Sequence, residues 1–285
     1  MTTHTALTAP TQFVEAKGIR FAYRRFGRKA GVPLIFNQLF IGNLDNWDPA
    51  VLDGLADERE VITFNNAGIA SSTGEVPKTV AGMAKNAEAF IDALGLKKVD
   101  LLGFSIGGMV AQQITLDRPE LVRKLVLIGT APRNFEAGNG HGHITPEVAA
   151  ILAATYDPPE NIWLKALFTN SKESQAAGRA FLKRYLSRTE NRDAPVNDKV
   201  APAQLAAIAK WGSASGERFA YLKNIRQQAL IVGGNHDVDI YPANLLYLVQ
   251  NMPKAKLILY PDSNHGSWYQ NHEDFVFEAN RFLAS

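Results

Sequence analysis

The chain has 285 residues, of which 46% are hydrophobic and 20% charged, and it contains no cysteine. This is the composition of a globular protein of one or two domains with a well-buried core, and the lack of cysteine excludes disulfides, thiolate metal sites and a cysteine nucleophile. The formal net charge is only +2 and the basic residues form no block, so we expect no nucleic-acid partner and no polybasic membrane surface.

The N-terminal residues MTTHTALTAPTQF lack the basic start and the apolar stretch that are typical of a signal peptide. No apolar run in the sequence has the length of a membrane span. We therefore expect a cytoplasmic protein without a membrane partner. The oligomeric state stays open at this stage, with a homodimer as one alternative that no heptad pattern supports.

The first half of the chain alternates short apolar runs with helical patterns. Strands are predicted at residues 19–26, 33–37, 61–64, 99–104 and 124–128, and helices at residues 46–56, 79–96 and 107–116. Strands that alternate with helices favour an α/β fold with a mostly parallel sheet covered by helices on both faces.

The middle of the chain has a different pattern, because no clear strand is predicted between residues 132 and 224. Helices are predicted there at residues 146–155, 160–167, 173–186 and 202–211. Alternation then resumes, with strands at 229–232 and 256–260 and helices at 243–249 and 274–283. We therefore predict a core formed by residues 1–132 and 224–285, with a helical cap inserted at residues 133–223.

The segment LLGFSIGGMV, residues 101–110, places Gly103-x-Ser105-x-Gly107 between a predicted strand and a predicted helix. A sharp strand-to-helix turn strains the backbone of the serine, and glycines two positions away relieve steric clashes and leave the hydroxyl exposed. The start of the helix also directs free N–H groups toward this position. The pattern therefore indicates either a turn serine or a nucleophile.

A serine nucleophile needs a base within hydrogen-bond reach, and the base needs an acid that orients it. Asp237 follows the predicted strand ALIV, and His265 follows the predicted strand KLILY. Both residues come just after a strand, at the edge where open α/β sheets bind their ligands. Asp239 is a rival for the acid, and Asp237 is preferred because it lies closer to the end of the strand.

From about Phe13 to the C-terminus, the chain resembles the α/β-hydrolase fold serine hydrolases with a helical cap, in their esterase and haloperoxidase-like branch. GFSIGG resembles the nucleophile elbow of that family, GGNHD its acid loop and PDSNHG its histidine loop, in the family's order. The resemblance implies that Ser105 is the nucleophile, His265 the general base and acid, and Asp237 the orienting carboxylate. It also implies a small-molecule acyl substrate, with no metal and no cofactor.

The family also supplies two backbone donors to the developing oxyanion. By resemblance, one is the N–H of Ile106, and the other follows a His-Gly pair after an early strand. Alignment on Pro33 and Gly42 puts Gln38 and Leu39 in place of that pair and makes the N–H of Phe40 the second donor. A further departure is that Asn65 and Ala67 stand where the family commonly has Asp and Arg.

The substrate pocket is the least determined part of the site. The candidates are Gln38, Trp163, Phe168, Trp211 and Trp268. Packing between cap and core explains Trp163, Phe168 and Trp211 equally well, whereas Trp268 is the better candidate because it closely follows His265. His141 and His143 lie in a glycine-rich loop without a neighbouring acid or cysteine, so we interpret that loop as a hinge of the cap and not as a metal site.

Together these features predict a serine hydrolase that cleaves a carboxylic ester or a lactone through an acyl-enzyme. The alternatives are perhydrolysis of the haloperoxidase type, C–C bond hydrolysis or amide cleavage by the same triad, and a non-catalytic ligand receptor on this fold. Epoxide hydrolases and haloalkane dehalogenases of this fold carry an aspartate at the elbow, so Ser105 argues against them. Activity should fall as the pH drops and the base becomes protonated.

Overall fold

The computed structural model describes residues 4–137, 140–141, 145–214 and 216–285. The strands within these ranges are β1 (Gln12–Ala16), β2 (Ile19–Gly27), β3 (Leu34–Asn37), β4 (Glu60–Phe64), β5 (Val99–Phe104), β6 (Val122–Ile128), β7 (Glu136–Ala137), β8 (Gly140–His141), β9 (Gln228–Gly234) and β10 (Ala255–Tyr260). The helices are α1 (Pro49–Ala56), α2 (Val80–Ala93), α3 (Ile106–Asp117), α4 (Pro146–Ala153), α5 (Ile162–Leu167), α6 (Lys172–Tyr185), α7 (Val200–Gly212), α8 (Ala243–Asn251), α9 (Ser267–Gln270) and α10 (His272–Ala284).

Eight of the strands form one sheet in the order β1-β2-β4-β3-β5-β6-β9-β10. The β1–β2 and β2–β4 pairs are antiparallel, and every other pair in this sheet is parallel. The carboxyl ends of β3, β5, β6, β9 and β10 consequently meet at one edge, as in other open α/β sheets. The predicted α/β class and its mostly parallel sheet are confirmed.

Two apolar layers cover the two faces of this sheet. Side chains alternate along each strand, so Leu101 belongs to the layer under α2, α3 and α8, whereas Leu102 belongs to the layer under α1 and α10. Both residues are completely buried. Strands that are buried on both faces have continuous apolar sequences, which is why β5 and β6 could be predicted from their composition.

Two features of the fold differ from the sequence-based expectation. β1 was not predicted, because it is a short edge strand whose side chains are half-buried or exposed. The two-residue strands β7 and β8 pair with each other in a segment where no strand was expected. The neighbouring His143 lies outside the described residues, and the predicted boundaries of the cap stay a prediction. In the described ranges, every helix is too short or too polar to cross a membrane.

A buried polar cluster attaches the segment after α6 to the sheet. Asp45 accepts a hydrogen bond from Arg24 Nη1 at 2.6 Å and another from the backbone N–H of Asp193 at 2.6 Å. The carboxylate of Asp193 in turn accepts hydrogen bonds from Asn65 Nδ2 at 2.6 Å and from Ser71 Oγ at 2.5 Å. Asn65 is therefore a structural contact between the end of β4 and the segment after α6.

Candidate active site

Ser105 occupies the sharp turn between β5 and α3, with φ of 57° and ψ of −123°. A residue with a side chain rarely adopts this conformation, and such strain costs on the order of 1–3 kcal/mol. The Ser105 N–H donates to the carbonyl of Ile128 at 2.9 Å, and Thr130 Oγ1 donates to the Ser105 carbonyl at 2.7 Å. These two hydrogen bonds hold the backbone of Ser105 in its strained conformation.

The two glycines beside Ser105 permit close backbone approaches. A Cβ at Gly103 would lie 2.4 Å from the carbonyl oxygen of Gly107, and a Cβ at Gly107 would lie 2.1 Å from that of Asn37. Both separations are far below van der Waals contact. The Gly-x-Ser-x-Gly pattern therefore reflects packing of the elbow against itself and against the end of β3.

His265 and Asp237 form a buried pair at the ends of β9 and β10. The imidazole Nδ1 donates to Asp237 Oδ2 at 2.8 Å, and each residue is only 2% exposed. The second oxygen of Asp237 accepts the N–H groups of Asp239 and Ile240, each at 2.9 Å. These bonds fix the Asp237 carboxylate on Nδ1. The other ring nitrogen, Nε2, is left for the cavity, which both His265 and Ser105 line.

A second carboxylate lies close to the other ring nitrogen. Asp239 Oδ2 is 3.8 Å from His265 Nε2, and Asp239 lines the same cavity as Ser105 and His265. Its side chain is 22% exposed. Its Oδ1 atom is buried and has no hydrogen-bond partner among the described residues. The sequence had named Asp239 as a rival of Asp237; the structure puts the two carboxylates on opposite nitrogens of His265.

The two carboxylates change the protonation of the imidazole. Burial opposes the charged imidazolium, but the charges of Asp237 and Asp239 outweigh it and raise the pKa of His265 to about 9. Burial and Asp237 together raise the pKa of Asp239 to about 7, although the His265 charge lowers it. The protonated imidazole is therefore favoured at neutral pH.

The loop after β3 is held by two glutamine side chains. Gln38 Oε1 accepts the N–H of Leu39 at 2.9 Å, while Gln38 Nε2 donates to the carbonyl of Asn43 at 2.6 Å. Gln204, on α7, accepts the N–H of Ile41 at 2.6 Å. Gln38 thus folds the loop back on itself, and Gln204 fastens the loop to α7.

The amides of Phe40 and Ile106 stay available as donors. Within the described residues, the N–H of Phe40 has no hydrogen-bond partner, whereas the N–H groups of Leu39 and Ile41 on either side are taken. Ile106 is the first residue of α3, and the first N–H groups of a helix have no partner inside it. The two predicted oxyanion donors are thus free backbone N–H groups, one beside Ser105 in the chain and one on the loop after β3.

The cavity in front of Ser105 has an empty volume of about 870 Å³, part of which is open to solvent. Its polar lining consists of Ser105, Asp239 and His265. Its apolar lining includes residues from the loop after β3 and from α3, α4, α5 and α7, namely Leu39, Phe40, Ile41, Met109, Val148, Ile151, Ile162, Trp163, Leu205 and Ile208. A ligand in this space would be mostly apolar, with a polar centre beside Ser105.

Of the five predicted pocket residues, Trp163 lines this cavity and the other four lie elsewhere. Trp268 is fully buried and packs edge-on against Phe104, with ring centroids 5.2 Å apart. Trp211 donates its Nε1–H to the carbonyl of Ala131 at 3.2 Å. Phe168 is 2% exposed and packs against the ring of Phe181, and Gln38 holds its loop. Phe168, Trp211 and Trp268 thus pack away from the cavity in front of Ser105.

The sequence analysis missed the aliphatic residues that dominate the lining. Val148, Ile151, Leu205 and Ile208 come from α4 and α7, more than 40 residues from Ser105 in the chain. An apolar residue on a helix is usually a core residue, so its sequence carries no sign that it faces a cavity.

Comparison with known proteins decides the family. A family model described as the alpha/beta hydrolase fold matches residues 32–271. The chain belongs to the alpha/beta hydrolase family. An alpha/beta hydrolase fold protein from Chitinophaga pinensis is 36% identical and superposes with a TM-score of 0.90, over 99% of this chain and 100% of that one. The predicted resemblance to this family is confirmed, and hydrolases such as an esterase are among the relatives, in agreement with the predicted hydrolase class.

Two further proteins are similar to this chain in sequence. The dihydrolipoyllysine-residue acetyltransferase component of the acetoin cleaving system of Cupriavidus necator is 29% identical, over 94% of this chain and 67% of that protein. A pimeloyl-[acyl-carrier protein] methyl ester esterase of Nitrosomonas europaea is also 29% identical, over 63% of this chain and 69% of that protein.

Proposed function

We propose that this protein is a serine hydrolase that cleaves a carboxylic ester or a lactone through an acyl-enzyme intermediate. The observation that carries the proposal is the convergence of a strained elbow serine and a buried His265–Asp237 pair on one apolar cavity. A turn serine without a catalytic role would gain nothing from its backbone strain or from a shared cavity with a buried histidine.

In the proposed reaction, Ser105 Oγ attacks the carbonyl carbon and gives its proton to His265 Nε2. Asp237 holds the ring through Nδ1 and stabilises the imidazolium that forms. The imidazolium then returns the proton to the leaving oxygen, and the C–O bond breaks. Water attacks the acyl-enzyme with His265 again as the base, which releases the acid and restores Ser105.

The N–H groups of Phe40 and Ile106 would stabilise the oxyanion in both halves of the reaction. One such donor lowers the activation barrier by on the order of 3 kcal/mol. Nucleophile, base and oxyanion donors are all groups of the chain itself, so the proposed chemistry requires no cofactor.

The shape and lining of the cavity suggest a substrate with a sizeable apolar portion. Ile151, Ile162 and Trp163 of the inserted helices face the same space as Ser105, so their side chains would contact the acyl or the alcohol part. The name of the Nitrosomonas europaea relative describes an ester of an acyl chain, which agrees with this chemistry. We infer an ester or lactone with an apolar chain as the substrate class.

The test is hydrolysis of p-nitrophenyl esters from acetate to laurate, together with a set of lactones. We expect turnover by the wild type and a loss of about 10⁶-fold in Ser105→Ala. Ser267→Ala is the matched control, because Ser267 is a fully buried serine two residues from His265 that does not line the cavity. It should keep its activity.

A fluorophosphonate probe supplies a readout that does not depend on the substrate. It should label the wild type and Ser267→Ala at Ser105 and should leave Ser105→Ala unlabelled. A wild type that neither labels nor turns over any ester, while a control esterase does both, would contradict the proposal and favour a ligand receptor. Labelling of Ser105 without turnover of any ester would mean that the nucleophile works and that the substrate is an amide or a compound with a cleavable C–C bond.

A further inference from the structure

We propose that Asp239 is a positioning residue for His265: its carboxylate stabilises the imidazolium from the Nε2 side and so determines when His265 can accept the Ser105 proton. This inference rests on the proposed serine hydrolase mechanism, and it adds to that mechanism a second carboxylate on the nitrogen opposite Asp237.

The geometry of the imidazole carries the first step. Asp237 Oδ2 lies 2.8 Å from Nδ1, and Asp239 Oδ2 lies 3.8 Å from Nε2. The Phe104 ring lies against the imidazole with centroids 4.8 Å apart, and a Cβ at Gly129 would be 3.0 Å from Nδ1. Phe104 and Gly129 are uncharged. The charges that act on the ring are therefore those of the Asp237 and Asp239 carboxylates.

Asp239 is partly buried, with a side chain that is 22% exposed and an Oδ1 atom that is shielded from solvent. A carboxylate in an apolar cavity is unfavourable unless it faces a positive charge or is fully hydrogen-bonded. Asp239 Oδ1 has no partner within the described part of the chain. Among the described side chains that line the cavity, His265 is the one that can become a cation. The contact that compensates Asp239 is therefore the His265 imidazolium.

The distance distinguishes the two carboxylates. At 3.8 Å, Asp239 Oδ2 is too far from Nε2 for a direct hydrogen bond. Its effect on the ring is an attraction between charges, which acts over this range. Asp237 orients the ring through a hydrogen bond, whereas Asp239 leaves Nε2 free to exchange a proton with Ser105 and changes only the stability of the charged form.

Two opposite consequences for catalysis follow from this attraction. In the resting enzyme Asp239 keeps His265 protonated to higher pH, which reduces the fraction that can act as a base. In the transition state the ring becomes an imidazolium, and Asp239 stabilises it there too. Removal of the charge should therefore extend activity to lower pH and should reduce the maximal rate reached at high pH.

The first experiment titrates His265 directly by NMR of enzyme labelled with ¹⁵N-histidine, with His265→Gln used to assign its signal. In Asp239→Asn we expect the midpoint of the imidazole titration to fall by about one to three pH units. Asp262→Asn is the matched control, because this carboxylate lies on the loop that carries His265 but bonds to Thr169 and Ser171. Its midpoint should stay that of the wild type.

The second readout is the rate of fluorophosphonate labelling of Ser105 against pH. Its acid limb should move with the NMR midpoint in Asp239→Asn and stay in place in Asp262→Asn. An unchanged NMR midpoint in a folded Asp239→Asn overturns the inference, as does a raised KM with an unchanged pH profile, which would assign Asp239 to substrate binding.

A second variant covers a folding defect, and the NMR titration covers a failure of labelling. If Asp239→Asn does not fold, Asp239→Ser removes the same charge with a smaller side chain, and the same midpoint is measured. If the wild type is not labelled at any pH, the proposed function fails, yet the NMR titration still reports whether Asp239 acts on His265. A wild-type midpoint near the ordinary histidine value of about 6.5 would overturn the inference as well.

Discussion

Ser105 has an unfavourable backbone conformation, and His265 has an unusual electrostatic environment. Ser105 has a positive φ of 57°, and His265 is completely enclosed beside two acidic side chains. Hydrogen bonds and the close backbone approaches at Gly103 and Gly107 maintain the Ser105 turn, and the hydrogen bond to Asp237 holds His265. At the scale of single residues, the site therefore combines local strain with a shifted proton equilibrium, as catalytic residues commonly do.

The first prediction concerns the pH dependence of catalysis. The base must be neutral to accept the Ser105 proton, and the pKa of His265 is raised to about 9. Below that pH the neutral fraction falls about tenfold for each pH unit, so kcat/KM should rise with pH by about that factor and level off above about 9.

The measurement is ester hydrolysis from pH 6 to pH 10, with Ser105→Ala run at every pH to subtract the reaction with buffer and hydroxide. A profile that is already flat between pH 7 and pH 9 would show that His265 titrates near its ordinary value. The sequence analysis predicted the direction of this dependence, and the structure moves its midpoint upward.

At the scale of elements, the site depends on the contact between β3 and the start of α3. Gly107 lies in the first turn of α3, where alanine would ordinarily stabilise a helix by about 1 kcal/mol relative to glycine. The expected effect here is the reverse, because the new Cβ would lie 2.1 Å from the backbone oxygen of Asn37. We expect Gly107→Ala to lower the free energy of unfolding by about 3 kcal/mol and to abolish activity.

Urea denaturation measures this change, and Gly95→Ala provides the comparison. Gly95 has a φ of 72° but nothing within 4 Å of its ideal Cβ, so its substitution should cost about 1 kcal/mol from the backbone alone. A Gly107→Ala protein as stable as the wild type would mean that β3 and α3 can separate without loss.

A second element-scale prediction concerns α7 and the loop after β3. Gln204 accepts the N–H of Ile41, the residue next to the proposed oxyanion donor Phe40. Gln204→Met removes the acceptor with little change in volume, so the loop loses its anchor on α7. We expect kcat to fall about tenfold with little change in KM, because the Phe40 N–H acts mainly in the transition state.

Steady-state kinetics on the best ester of the panel measures the split between kcat and KM. Gln250→Met is the control, since Gln250 is an exposed residue of α8 and the same substitution there should leave both constants unchanged. An unchanged kcat in Gln204→Met would show that the proposed oxyanion site does not depend on the contact between α7 and the loop after β3.

At the scale of the whole molecule, the buried pair of Arg24 and Asp45 joins the sheet to the segment that follows α6. Their side chains are 3% and 4% exposed, and Asp45 also accepts the N–H of Asp193. Asp45→Ala would leave the buried guanidinium of Arg24 with only the neutral acceptors Thr11, Leu44 and Asn191 and without its carboxylate partner. We expect the free energy of unfolding to fall by about 3–5 kcal/mol.

Urea denaturation again provides the measurement, with Asp92→Ala as the control. Asp92 also pairs with an arginine, Arg118, but its side chain is 51% exposed, so the loss should be about 1 kcal/mol or less. Equal effects of the two substitutions would show that the Arg24–Asp45 pair contributes no more than a surface ion pair does.

The succession of strands and helices along the chain, the glycine-flanked turn at Ser105 and the loops that carry Asp237 and His265 could be predicted from the sequence. These features are local: a strand buried on both faces has a continuous apolar run, and a strained turn needs glycines at fixed positions. Gly103, Ser105, Asp237 and His265 could therefore be named from neighbouring residues alone. β1 was missed because its short, half-exposed sequence lacks such a run.

Only the tertiary structure decided which side chains share the space around Ser105. Trp268 entered the core although it follows His265 closely in sequence, while Gln204 reached Ile41 from 163 residues away. Asp237 and Asp239 are two residues apart, yet they approach opposite nitrogens of one imidazole. Contacts of this kind depend on how distant segments pack in three dimensions, and the local pattern of residue types does not encode that packing.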